Sequence, residues 1–153
     1  MDKFKPKAII CDIDGCVLDT SAIYKEIERL NLEGQRKWMF FETFANDSKM
    51  SVFNQTLGNW LVSQYIKGIN IIFLTARSEK IRYNTRTRLN KEFKNVLDYC
   101  LLMRAKDDLD PAHIVKEKHL KTILERYEVI LAIDDEQPNL DMFNRYGLLV
   151  KKV

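Results

Sequence analysis

Four short stretches of the chain carry residues that could do chemistry together. The segment Asp12-Ile13-Asp14-Gly15-Cys16-Val17-Leu18-Asp19-Thr20 sets two carboxylates two positions apart where an apolar run ends, with Gly15 free to turn the backbone sharply. Thr75-Ala76-Arg77 ends another apolar run, Asp134-Asp135 ends a later one, and Lys116 offers a cation from the polar helical stretch between them. Alternation along an extended strand would point Asp12 and Asp14 to one side. Carboxylates gathered at one edge repel by about 4 kcal/mol per pair at 4 Å and an effective dielectric near 20. A divalent cation would offset that repulsion. An oxygen donor set suits Mg²⁺ better than zinc, which prefers His and Cys.

The elements that must position these residues follow from hydrophobic spacing. Short apolar runs alternate with longer helical stretches, which argues for a parallel α/β sheet. Strands are expected at residues 7–13, 70–75, 96–103, 129–133 and 147–153. A helix before the second strand shows an inward face at Phe53, Leu57, Trp60, Leu61 and Tyr65, with Gly68 as its stop. Another opens at an Asp110 N-cap with Pro111 as its first residue and turns Ile114, Leu120, Ile123, Leu124 and Tyr127 inward. In open α/β sheets ligands bind outside the carboxyl ends of the strands, where all four stretches arrive. Residues 20–50 mix a helical pattern (Ile23, Ile27, Leu30) with aromatics at Trp38, Phe40, Phe41 and Phe44. They read as a small cap-like insertion, either a lid over the site or a satellite core under a long connection.

Composition excludes several classes. With 153 residues, 46% of them hydrophobic, the expectation is one domain over residues 1–153. Charged residues at 31%, with 5 Gly and 3 Pro, exclude collagen-like and disordered chains. No apolar run approaches the roughly 18 residues of a membrane span, and the charged N-terminus leads into too short an apolar stretch for a signal peptide. A cytoplasmic location and no membrane partner are expected. A net charge of +3 is too mild by itself to imply nucleic-acid binding. The stretch from Arg77 to Lys106, however, holds nine basic residues against three acidic ones, either a track for a phosphate backbone or a solvated helix face. Cys11, Cys16 and Cys100 are read as reduced core thiols, and His113 and His119 as surface or satisfied helix residues.

The motif set D-x-D-G-x-x-x-D-T at Asp12 to Thr20, L-T-A-R ending at Arg77, Lys116, and I-D-D at Ile133 to Asp135 resembles the haloacid dehalogenase-like (HAD-like) superfamily of phosphohydrolases, in order and across nearly the whole chain. The resemblance implies a three-layer α/β/α Rossmann-like parallel sheet of about five strands with a small cap after strand one. It also implies a two-step phosphoryl transfer, with Asp12 attacking phosphorus and Asp14 protonating the leaving oxygen before activating water. Thr75 and Lys116, the latter preferred to Lys118 and Lys121, would offset charge on the phosphoryl group. Mg²⁺ would be held by Asp12, the backbone carbonyl of Asp14, Asp134, and Asp135 directly or through water. On that view Asp134→Asn leaves the metal-free fold as stable or more so, because it removes repulsion.

A narrower resemblance, carried by residues 101–108, Ile114-Val115-Lys116-Glu117 and Leu131 to Asp135, is to the 3′-phosphatase domain of phage polynucleotide kinase. It implies phosphate removal from nucleic-acid 3′ ends, with Arg77 and Arg104 binding or orienting the substrate. Glu136 departs from that pattern, since the position is basic there. No G-x-x-x-x-G-K-[ST] loop for a fused kinase is present. The alternatives are a nucleotide or small-metabolite monophosphatase and, more distantly, a non-catalytic phospho-acceptor switch. No obligate protein partner is evident.

Overall fold

The computed structural model describes residues 4–153, so residues 1–3 of the charged N-terminus lie outside it. In chain order the elements are β1 (Lys7–Cys11), β2 (Leu18–Asp19), α1 (Ser21–Arg29), α2 (Gly34–Phe44), β3 (Val52–Phe53), α3 (Gln55–Ile66), β4 (Asn70–Ser78), a 3₁₀ turn (Glu79–Ile81), α4 (Arg82–Glu92), β5 (Tyr99–Arg104), α5 (Ala112–Arg126), β6 (Glu128–Asp134), α6 (Gln137–Arg145) and β7 (Val150–Lys152). Five strands form a parallel sheet in the order β5-β4-β1-β6-β7. The chain winds outward one way from β1 and then returns to wind the other way, so the order reverses beside β1, between β4 and β6.

Alternation along the central strands divides the core. Ile9 and Cys11 of β1 and Ile71 and Phe73 of β4 face Leu61 of α3 and Leu89 on α4. Ala8, Ile10, Ile72 and Leu74 face Leu120 and Ile123 of α5 and Met142 and Phe143 of α6. The result is three layers, α/β/α, with near-continuous apolar strands because both faces are covered. Asn54 caps α3, accepting from Leu57 N at 3.1 Å.

Several elements differ from the sequence reading for local reasons. Trp60, expected on the inner face of α3, is partly exposed, while Leu61 takes the buried position. The N-cap of α5 is Pro111 and not Asp110, whose carboxylate pairs instead with Lys118 at 2.7 Å. Cys11 and Cys16 are buried free thiols as read, but Cys100 is exposed because β5 is an edge strand. Between β1 and α3 the chain makes an excursion bracketed by the antiparallel pair β2 and β3 and carrying α1 and α2. Ile23, Ile27, Phe41 and Ala45 from that excursion join the core shared with the sheet, so its aromatics do not form a separate satellite cluster. Among the described residues no helix is long and apolar enough to cross a membrane.

Candidate active site

β1 stops at Cys11, and the chain then turns, where alternation assumed a continuing strand. Asp12 N still donates to Ile133 O at 3.0 Å; then Cys16 N and Leu18 N both donate to Ile13 O, and Gly15 N to Leu18 O at 2.8 Å. Gly15 has φ of +79°, and a Cβ there would overlap the Asp135 carboxylate. Only glycine meets both demands. Asp12 and Asp14 therefore reach one cavity through this turn.

At the floor, the Asp12 carboxylate is nearly buried; its Oδ1 accepts from Ile13 N at 2.8 Å and lies 3.2 Å from Lys116 Nζ. Oδ2 is the oxygen left for chemistry. Lys116 is fully buried and donates to Asp134 Oδ2 at 2.6 Å, bridging the two carboxylates, whereas Lys118 sits at the surface with Asp108 and Asp110. Burial pulls the Lys116 ammonium down, but Asp12 and Asp134 outweigh it and hold it above lysine's ordinary range. Burial drives the Asp12 carboxyl well up, against the opposing pull of Lys116, and Asp134, Asp14 and Asp135 push the same way as burial. Asp134 Oδ1 accepts from Asp135 N, Glu136 N and Asn139 Nδ2 at 2.8, 3.0 and 3.1 Å. That geometry overturns the expectation for Asp134→Asn. The substitution would remove the principal partner of a buried ammonium, which costs about 3–5 kcal/mol and exceeds any relief of repulsion.

β4 runs three residues past its expected end, so that Thr75 and Arg77, two apart, both face the site. Thr75 Oγ1 accepts from Arg77 N at 3.1 Å, leaving its hydroxyl proton to donate. Arg77 is buried with all five side-chain N–H groups satisfied: Nε and Nη2 fork onto Asp14 at 2.9 and 2.7 Å, and the others reach Asn46 Oδ1, Thr85 Oγ1 and the Ala45 carbonyl. Its fork fixes the Asp14 carboxylate and ties the end of α2 to the sheet. Arg104 donates from Nε to Ala76 O and from Nη1 to Asp108 O and Asp110 O, leaving Nη2 without a protein partner among the described residues. The basic stretch is thus no single face. Arg88 is buried against the Asn46 and Ser51 carbonyls, Arg82 holds Glu79, and Lys80 and Lys106 line the cavity along with Arg77 and Arg104.

Ligand atoms of Asp12, Cys16 and Asp135 lie within 4.8 Å of one another. Burial and the Asp12 charge drive the Cys16 thiol far up, and the other two members of the group offer carboxylate oxygens. Asp135 Oδ1 is buried with no hydrogen-bond partner among the described residues. Burial, Asp134 and Glu136 together push the Asp135 carboxyl up to about 6. An orphaned carboxylate oxygen beside Asp12 fits a hard divalent cation. The two neighbouring acids are therefore unlike: Asp134 is fully engaged by protein donors, and Asp135 is not.

These groups open into a cavity of about 1150 Å³. Asn139, buried at the start of α6, escaped the sequence reading although it holds Asp134; a first-turn amide five residues beyond the acid was its only signal. Asn46 and Thr85, which hold Arg77, lie outside every motif. Tyr24 and Trp38 form part of the cavity wall.

The family described as the polynucleotide kinase PNKP phosphatase domain matches residues 6–153. A solved structure of the Pnkp1/Rnl/Hen1 RNA repair complex contains a chain 26% identical, with a TM-score of 0.77; the alignment covers 99% of this chain and 43% of that one. This protein therefore spans less than half the length of that relative. The class C acid phosphatase from Bacillus anthracis aligns at 18% identity and a TM-score of 0.70, over 90% of this chain and 54% of its own. A haloacid dehalogenase-like family hydrolase from Streptococcus pneumoniae aligns at 14% identity and a TM-score of 0.55, over 95% of this chain and 83% of its own. These two share the fold. Among curated proteins none matches the chain.

Proposed function

The chain belongs to the family of polynucleotide kinase PNKP phosphatase domains and is a phosphatase of the haloacid dehalogenase type; from that premise we propose that it hydrolyses phosphomonoesters at the 3′ ends of nucleic-acid strands through a phosphoryl group carried on Asp12. The observation that carries the reading is the buried Asp12–Lys116–Asp134 bridge, which leaves Asp12 Oδ2 as the one oxygen of that carboxylate open to substrate. In the first step Oδ2 bonds to phosphorus and the bond from phosphorus to the strand's 3′ oxygen breaks. Asp14, held in place by the Arg77 fork and acting in its protonated form, gives that oxygen its proton. In the second step Asp14 takes a proton from water, which attacks the same phosphorus and returns Asp12 and free phosphate. Lys116 and the Thr75 hydroxyl stabilise the non-bridging oxygens throughout. Asp12 and Asp135, with the Asp14 carbonyl, are the groups that would hold Mg²⁺, which when bound neutralises the acidic cluster and the transferring group.

Lys80 and Lys106 on the cavity wall support a polymeric substrate. With Mg²⁺ present, a 3′-phosphorylated oligonucleotide is expected to be hydrolysed faster than a nucleoside 3′-monophosphate. Its rate should fall steeply as salt rises, because phosphate contacts release counterions. Equal rates on both, indifferent to salt, would instead assign a small-monoester phosphatase. An aspartyl-phosphate that persists for many minutes without releasing phosphate would assign a switch.

A further inference from the structure

Besides Lys80 and Lys106, the cavity is lined by α1 and α2, which bring Tyr24, Trp38 and Phe41 to it together with the charged Lys25, Glu28 and Glu42. Trp38 is 53% exposed and Tyr24 41%, although each is large enough to repay burial, and both line the cavity. They are not loosely placed. Trp38 meets the buried Phe41 ring edge-on, with centroids 6.3 Å apart and planes at 79°, and the Tyr24 ring centroid lies 5.5 Å from that of Phe41. Phe41 in turn lies 5.8 Å from the Arg77 guanidinium, which also grips Ala45 O and Asn46 just beyond α2. The indole is therefore held in a fixed attitude relative to Asp14, half in water, at the side of a cavity larger than one phosphate ester needs. An aromatic face and ammonium groups lining one cavity match the two repeating features of a single strand, a π-faced base and a backbone anion.

We infer that Trp38 is the platform on which the base of the strand's terminal nucleotide stacks, while the backbone runs along Lys80 and Lys106. This rests on the reading of the site as a nucleic-acid end phosphatase and adds to it what makes the end recognisable. The scissile phosphate is read at the floor, and the nucleoside that bears it is read by the indole.

The test compares three monoesters: a short oligonucleotide with a 3′-phosphate, the same oligonucleotide whose terminal nucleotide lacks its base, and glycerol 2-phosphate, which has neither base nor strand. In the wild-type protein the base-less end is expected to lose on the order of 10- to 100-fold in kcat/KM, carried by KM. Trp38→Ala should cost the base-bearing oligonucleotide a similar factor relative to glycerol 2-phosphate and cost the base-less one little more. Trp38→Phe should recover most of the loss, and it keeps the test open if the alanine variant folds poorly. The inference is overturned if the wild-type protein treats the two oligonucleotides alike, or if Trp38→Ala weakens both equally, which would mark a structural role. Failure of the parent reading shows separately and earlier: the wild-type protein would hydrolyse glycerol 2-phosphate and leave both oligonucleotides intact, and this inference would fall with it.

Discussion

The floor of the cavity and its outer wall solve opposite problems. On the floor, charges that water would otherwise solvate are buried and must be matched by named partners: Lys116 against Asp12 and Asp134, Arg77 against Asp14, three donors on one oxygen of Asp134. On the wall, apolar rings that burial would favour are left half in water, packed on Phe41, with the Lys37 ammonium 5.1 Å from the Trp38 ring centroid. A floor of this kind tolerates almost no substitution, because each removal strands another group. A wall of this kind tolerates substitution in stability and loses only what it would have bound. On the proposed reading, reaction and recognition are separately built, joined where Arg77 bonds both Asp14 and the end of α2.

Asp12→Asn is the most severe way to test the floor. It keeps the shape of the side chain and the acceptor for Ile13 N but removes the proposed nucleophile, so turnover should fall by about four orders of magnitude on every substrate, including glycerol 2-phosphate. Steady hydrolysis near the wild-type rate would contradict attack by Asp12. A loss confined to oligonucleotides would erase the distinction between floor and wall.

Next in size is the contrast between the two adjacent acids, measured by urea unfolding in a chelator. Asp134→Asn should destabilise the metal-free protein by about 3–5 kcal/mol, because Lys116 is fully buried and Asp134 is its shorter contact. Asp135→Asn should leave the metal-free protein as stable or more so, since Asp135 Oδ1 has no donor among the described residues and its charge opposes Asp134 and Glu136. Equal losses would mean that Asp135 is held by partners the geometry does not show.

That contrast also marks how far the sequence could be read. Asp12, Asp14, Thr75 and Asp134 are legible at the sheet's carboxyl edge because a polar side chain that ends an apolar run has few other places to go, whereas Lys116 is picked out from Lys118 and Lys121 only by the family resemblance. The strand order followed from the alternation of elements only as far as a parallel sheet; which strands flank β1 is a matter of pairing that no local pattern carries. Charge bookkeeping was misleading at Asp134, since a sequence shows that acids gather but not which one already has its cation. The same limit applies to the basic stretch, where Arg88 turns inward while Arg77 and Lys80 reach the cavity, a division set by tertiary packing. Trp38 and Phe41 lie three positions apart on α2, close enough in helical phase that spacing alone does not say which is buried and which is left in water.

The smallest expected effect separates floor from wall by pH. The unfolded chain releases the Asp135 proton near the ordinary aspartate value, and the folded, metal-free protein releases it at about 6. Between those two values the folded state holds the extra proton, so this carboxyl's contribution to stability is present at low pH, declines as pH rises through the window, and is absent above it. Other carboxyls in the chain shift the other way, among them Asp19 and Asp108, so the whole-protein profile mixes signs and the informative quantity is a difference. In chelator, the stability of Asp135→Asn minus that of the wild-type protein should climb from pH 4 to pH 6 and then level off. Met39→Ala, on the exposed side of α2 where the residue is 63% accessible, should differ from the wild-type protein by no more than about 0.5 kcal/mol at every pH in the same series. A flat difference for Asp135→Asn would mean that its carboxyl titrates as it does in water, and the floor would then be better solvated, and more like the wall, than its orphaned oxygen implies.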